Sequence, residues 1–170
     1  MTQATRFLFD ECLGRPVVER QIKDSLRLYG SDAELAHLFS KFPMGAKDTE
    51  WIPAIAQEGG WIVVTADRGK HSKKDEKLPY ICREFGVSHV MLSSGLHRRT
   101  MYYKYLAISS CWSALLDVGS HPPGTGFSLG MHGDKKFRFR KTMDPIADNP
   151  EVNHQGTLFD LNPPPDEAAD

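Results

Sequence analysis

The chain is expected to fold as an α/β domain: a mainly parallel, four-stranded sheet with helices on both faces, followed by a C-terminal β-hairpin. Two observations lead there. Short apolar runs alternate four times with helix-compatible segments before residue 118, the order that covers a parallel sheet on both sides. Acidic residues stand just past two of those runs and at the start of one helix, where an open α/β sheet gathers its ligands.

Residues 6–10 are a short apolar run closed by acids, too short for a helix and therefore a buried strand. Pro16 suits the first turn of a helix reaching residue 29, with Val17, Val18, Ile22, Leu26 and Leu28 on its inner side and Gly30 to end it. Residues 32–39 have helical propensity, but a second parallel strand is due here. Leu35, His37 and Phe39 alternate with Ala36 and Leu38, so strand is the preferred reading. Residues 42–46 form a loop, and Asp48 can cap a helix to residue 57 that Gly59-Gly60 stops. Trp61-Ile62-Val63-Val64-Thr65 is the clearest buried strand. A polar loop over 68–77 leads to a helix over 78–85 and a strand over 87–92. Met101, Tyr105, Ile108, Trp112 and Leu115 recur at helical spacing within 99–116, expected as the last and longest helix.

His121-Pro122-Pro123-Gly124 breaks the alternation, and residues 127–131 and 135–140 then flank Gly133-Asp134 as a tight hairpin turn. Side chains alternate along a strand, which puts Phe137 and Phe139 on one face and Lys136, Arg138 and Arg140 on the other. One face docks and the other is basic. The domain thus spans residues 1–142, with the hairpin at 126–141, and residues 143–170 are an acidic, proline-rich tail expected to be mobile.

A length of 170 residues suits one domain with one sizeable core. With 40% hydrophobic and 25% charged residues, the chain is neither disordered nor fibrous. No membrane span is visible, and residues 1–6 lack the apolar stretch and cleavage site of a secretory signal, so a cytoplasmic location is expected. Cys12, Cys82 and Cys111 are odd in number and far apart, and they read as reduced thiols without a zinc site. Net charge is −1, from 21 Lys and Arg against 22 Asp and Glu, so any nucleic-acid affinity must be local. Local basic groups exist: Arg68, Lys70, Lys73 and Lys74, then Arg98 and Arg99, then the hairpin.

In a parallel sheet the carboxyl ends of the strands share one edge, so Asp10 and Asp67 can meet although 57 positions apart, and the following helix brings Asp48 to the same edge. Separate carboxylates gathered in this way suit a hard divalent cation. One or two Mg²⁺ or Mn²⁺ held there can polarise a phosphodiester and activate the attacking water. Glu11 and Glu50 are additional candidate ligands.

The segments Phe7-Leu8-Phe9-Asp10-Glu11-Cys12-Leu13, Lys47-Asp48-Thr49-Glu50-Trp51-Ile52 and Ile62-Val63-Val64-Thr65-Ala66-Asp67 resemble the PIN-like nucleases, above all the small bacterial members related to toxin ribonucleases. The likeness continues through Leu78-Pro79-Tyr80-Ile81-Cys82 and Val87-Ser88-His89-Val90-Met91-Leu92, over residues 6–118. It implies a PIN-like three-layer sandwich and endoribonuclease activity with Mg²⁺ or Mn²⁺. It further implies metal ligands in Asp10, Asp48 and Asp67, a supporting hydroxyl in Thr65, RNA as substrate and an antitoxin protein as partner. Lys70, Lys73, Arg98, Lys136, Arg138 and Arg140 would hold RNA. A homodimer is also open. The pattern departs at Gly69, where many relatives carry a further acid, and at Ser93-Ser94, where a carboxylate is also common; Asp75 or Glu76 are candidate substitutes.

Ordinary structural readings stand beside these. Asp10 and Asp48 also suit a turn and a helix cap, Glu50 a first helical turn, and Glu11 an ion pair with Arg15. Trp51, Trp61 and Trp112 read as core, and His37 and His89 as satisfied core or edge histidines. A non-catalytic phosphate or nucleic-acid binding module on the same fold is the alternative function, favoured by Gly69. A response-regulator-like domain lacks a placeable lysine after a fifth strand. In the tail, Gln155-Gly156-Thr157-Leu158-Phe159 resembles the short peptide by which bacterial proteins dock into the replication sliding clamp.

Overall fold

The computed structural model describes residues 5–67, 77–131 and 136–145. Lys70, Lys73, Asp75, Glu76, the Gly133-Asp134 turn and the clamp-like segment 155–159 lie outside the described residues, as does the tail after Pro145. Six strands form one sheet in the order β2-β1-β3-β4-β5-β6. They are β1 (Arg6–Phe9), β2 (Glu34–His37), β3 (Trp61–Thr65), β4 (Ser88–Leu92), β5 (Gly126–Met131) and β6 (Phe137–Met143). The first five are parallel, and β6 alone runs antiparallel, against β5. The expected four-strand sheet and separate hairpin are therefore one surface, because β5 pairs directly with β4 from His89 opposite Gly126 to Leu92 opposite Leu129.

Helices cover both faces. Phe7, Phe9, Ile62, Val64, Val90 and Leu92 project into one core, whereas Leu8 and Val63 project into the other with Trp51, Ile52 and Ile55. This is the period-two alternation of strands buried on both sides. On the second face lie α2 (Leu38–Lys41), α3 (Asp48–Glu58) and α4 (Leu78–Glu84). Gly59 and Gly60, both at φ 71°, end α3 and turn the chain into β3 in a conformation that other residues rarely adopt.

The first face carries a π-wound segment Val17–Ile22, α1 (Lys23–Leu28), α5 (Ser94–His97), α6 (Met101–Ser110) and α7 (Trp112–Asp117). Leu28 is 89% exposed, so it is not an inner-side residue; Leu26 and Ile22 fill that role. The long helix expected over 99–116 is broken at Cys111 (φ −104°, ψ 18°), and the 11-residue α3 is the longest among the described residues. The bend lets Ala107 and Ile108 before it, and Trp112 and Leu115 after it, reach one core, with the Trp112 ring 4.9 Å from that of Phe7. The second strand expected to run through Phe39 stops at His37, whose Nδ1 accepts from the Phe39 N–H and starts α2.

Trp51, Trp61 and Trp112 are buried, as their apolar neighbours demand. His37 is satisfied, its Nε2 lying 2.8 Å from the Leu13 carbonyl. His89 is not: it is 2% exposed and its Nδ1 has no partner. Its ring occupies the space a side chain at Gly126 would need, since a Cβ there would stand 2.8 Å from the imidazole. Burial pushes the His89 pKa down to about 4. The unfolded chain therefore takes up a proton near pH 6.5 that the folded one refuses until about pH 4, and stability falls as pH drops through that window. Between pH 7 and pH 4.5, the wild type is expected to lose about 2–3 kcal/mol more than His89→Leu. Urea unfolding at the two pH values measures this, and parallel losses would show that His89 is not held neutral.

No helix among the described residues is long and apolar enough to cross a membrane.

Candidate active site

Asp10 follows β1 directly and extends its ladder, with its N–H donating to the Val64 carbonyl at 3.0 Å. The next residues turn at once, because the Leu13 N–H returns to the Asp10 carbonyl at 3.1 Å. Asp10 is 6% exposed, and its carboxylate accepts two short hydrogen bonds, from the Glu11 N–H to Oδ1 and from the Thr65 hydroxyl to Oδ2, both at 2.6 Å. Thr65 Oγ1 in turn accepts from the Asp67 N–H at 3.0 Å. One hydroxyl thus ties the ends of β1 and β3 together. It does so because Leu8 on β1 and Asp10 just past its end face the same side as Val63 and Thr65 on β3, in the register that pairs Leu8 with Val63.

Asp48 is the first residue of α3, and Lys47, with φ −79° and ψ 149°, is the capping position. Asp48 was expected to be the cap itself. Its carboxylate instead takes the indole N–H of Trp51 at 3.0 Å, one helical turn on. Glu50 turns back to the Lys47 N–H at 3.3 Å, the reciprocal half of a capping box, and does not line the cleft with the other acids.

Asp10, Glu11, Asp48 and Asp67 line one open cleft of 530 Å³ at the carboxyl edge of the sheet, with Lys47 and Thr49 also in its wall. Burial raises the Asp10 pKa despite the hydrogen bonds from Thr65 and Glu11, and the Asp67 charge adds to the rise. Asp48 is pushed up to about 6, first by burial and then by Asp10, against the lowering effect of the Trp51 bond, with smaller upward contributions from Asp67 and Glu11. These carboxylates feel one another. Among the described residues, however, no three His, Cys, Asp or Glu side chains stand close enough together to cage a metal. The donors are hard oxygens under mutual repulsion. They fit an ion such as Mg²⁺, which commonly takes one or two carboxylates and keeps several waters.

Three contacts fix the turn behind Asp10. The Cys12 sulfur accepts from the Ala66 N–H at 3.1 Å, His37 holds Leu13, and the Lys104 ammonium donates to the Cys12 carbonyl at 3.1 Å. Burial pushes the Cys12 thiol up to about 12, so it is an unreactive acceptor and not a nucleophile. All three cysteines are free. Lys104 is only 5% exposed, although the sequence reading gave it no role. Its signal was there: it lies three and four residues before the core residues Ala107 and Ile108, a charge on the apolar face of a helix.

The basic residues divide. Arg98 is exposed, donates to the Ser94 carbonyl at 3.3 Å and sits in the turn between α5 and α6. Arg138 and Arg140 are exposed on β6, and so is Lys136 just before it, while Phe137 and Phe139 pack on the core, with Phe139 stacked on Phe127 at 5.3 Å. Because β6 runs back from the carboxyl edge, Arg138 pairs with Gly130 near that edge, three strands from β3.

A family model described as a PIN like domain matches residues 5–94, the stretch that holds β1 to β4 and all of Asp10, Asp48, Thr65 and Asp67. No curated protein and no solved structure matches the chain.

Proposed function

Since this chain belongs to the PIN-like domain family, whose fold is of the nuclease type, we propose that it is a metal-dependent endoribonuclease, the toxin of a toxin-antitoxin pair. The observation that carries the reading is the shared cleft of Asp10, Asp48 and Asp67, two of whose carboxyls have raised pKa values. Asp10, Asp48 and Asp67, with Glu11 beside them, would hold Mg²⁺ or Mn²⁺. The ion, when bound, supplies a Lewis acid for the phosphodiester and an acidified water as nucleophile.

The chain's own residues do the rest. Thr65 fixes one oxygen of Asp10 and, through the Asp67 N–H, the position of the loop that carries Asp67. Trp51 fixes one oxygen of Asp48. Two of the three acids are thereby oriented before any ligand arrives, which lowers the ordering cost of binding. Lys47 and Thr49 at the start of α3 offer a phosphate-facing wall, favoured by the positive end of the helix dipole. Arg98 and the basic face of β6, with Lys70 and Lys73, would hold the RNA backbone without reading its sequence.

Purified protein is expected to cut a mixed RNA pool with Mg²⁺ or Mn²⁺ and to stop with EDTA. Gel analysis of the fragments decides the matter, and cleavage that persists in EDTA would sink the metal-dependent reading. The second reading, a non-catalytic nucleic-acid or phosphate-binding module, draws on Gly69 and on the absence of a three-ligand cage among the described residues. It predicts RNA binding without cleavage in the same samples.

A further inference from the structure

Strand register connects the acidic cleft, across one face of the sheet, to a second group of charges. Asp10 continues the pairing of Phe9 with Val64, and its carboxylate meets the Thr65 hydroxyl on the face that α2, α3 and α4 cover. Paired residues of neighbouring strands project to the same face. Thr65 pairs with Met91, Met91 with Ser128 and Ser128 with Arg140, so Asp10 and Arg140 end one row of side chains on a single face. One step nearer the carboxyl edge, Gly130 pairs with Arg138, and a Cβ at Gly130 would stand 3.2 Å from Ser93, the residue just past β4. The twist of the sheet rotates β6 relative to β1 but moves none of these groups to the other face.

The row is open. The core under α2, α3 and α4 takes no described residue from β5 or β6, whereas Phe127, Leu129, Phe137 and Phe139 pack on the opposite face. Between the cleft and the arginines stand Met91, Ser93, Ser128 and Gly130, all partly exposed and, Met91 apart, small. Arg138 and Arg140 rise at the far end, both exposed. A low floor thus leads from carboxylates to guanidinium groups. Guanidinium forks match phosphate oxygens, and the acids suit a phosphodiester through a divalent cation, so a chain of phosphodiesters is the ligand that fits both ends of the row. An acidic peptide would suit the arginines alone.

Arg140 is three strands from Thr65 and four from Asp10. Neighbouring strands lie about 4.8 Å apart, which makes the path about 14–19 Å. At about 3.4 Å per nucleotide of a stacked strand, that is about four to six nucleotides. We propose that Arg138 and Arg140 form a phosphate-binding subsite for RNA about four to six nucleotides from the bond held at the acids, the RNA chain crossing the exposed floor of β4 and β5. This rests on the nuclease reading for its ligand and adds a minimum RNA length to it. β5 and β6 lie beyond residue 94, outside the matched family segment.

The test is fluorescence anisotropy of the full chain in EDTA with labelled RNAs of about 4 and about 16 nucleotides that share a central sequence, the shorter being unable to span the row. Wild type is expected to bind the longer RNA more tightly. Replacing Arg138 and Arg140 together by Ala removes most of that advantage and lowers the salt slope for the longer RNA by up to about 1.4 log units, so that the loss is up to about sevenfold larger at 50 mM salt than at 200 mM. Arg138→Lys with Arg140→Lys keeps both charges and restores the slope. Equal binding of the longer RNA by wild type and the double Ala variant, at equal melting temperatures, overturns the subsite and leaves the arginines for an acidic protein partner. An equal loss for both lengths overturns the spacing, because the arginines would then act beside the bond. Binding of neither RNA by the wild type also overturns the proposal, whereas metal-dependent cleavage of the RNA pool decides the nuclease reading independently.

Discussion

Asp67→Asn is expected to lower metal-dependent RNA cleavage on the order of 10²–10³-fold while leaving the fold intact, the scale seen when one fixed electrostatic partner of a transition state is removed. The residue is exposed at the mouth of the cleft, and its N–H to Thr65 belongs to the backbone, which the substitution keeps. Its charge raises the pKa of both Asp10 and Asp48, so the amide relieves repulsion in the metal-free protein. A gain of about 0.5 kcal/mol or more, seen as roughly 1–2 °C in melting temperature with EDTA, follows from that relief. Asp10→Asn should be as damaging to cleavage but should not stabilise, because a buried amide must then satisfy both the Glu11 N–H and the Thr65 hydroxyl that the carboxylate accepts now. Full activity in Asp67→Asn would remove that residue from the site, and unfolding would give it a structural role instead.

The cleft was legible in the sequence because its parts follow from strand ends. β3 is five residues, all buried, and no other reading of Trp61 to Thr65 buries them as well. Once β1 and β3 are parallel neighbours, Asp10 and Asp67 must share an edge. What the sequence hid depends on contacts between distant segments. Apolar spacing over 99–116 is continuous, yet the helix breaks at Cys111, beyond which Trp112 meets Phe7 on the far side of the core. The pairing of β5 with β4 rests on Gly126 making room for His89, a fit between positions 37 apart that no local pattern contains. Glu50 and Asp48 look equivalent in sequence, two acids at a helix start. Two helical positions, about 200° of rotation, separate them, and this sends Glu50 to the Lys47 backbone and Asp48 to the cleft. Lys104 likewise shows no task in the sequence until the turn at Cys12 is seen beneath it.

Metal-free protein is expected to lose stability as pH rises from 5 to 7.5, relative to Asp48→Asn, and Mn²⁺ is expected to reverse the loss. The Asp48 pKa is about 6 in the folded protein and near 4 in the unfolded chain, so the folded state binds the proton more tightly. Its contribution is therefore favourable below about pH 4 and is lost as pH rises through about 6. After discount for solvent screening in an open cleft, the part lost between pH 5 and 7.5 is about 1 kcal/mol, or roughly 2–4 °C. His89 titrates in an overlapping window with the opposite sign, but it is common to both proteins and cancels in the comparison. A divalent ion needs the ionised carboxylates, so it competes with the proton and stabilises most at the higher pH. At a concentration 100 times its Kd it contributes about 2.7 kcal/mol, more than the repulsion it relieves. Melting curves at pH 5 and 7.5, in EDTA and in Mn²⁺, with wild type and Asp48→Asn, give every term. A Mn²⁺ shift of equal size at both pH values and in the mutant would place the ion away from Asp48, and the cleft would then lose its claim to the chemistry.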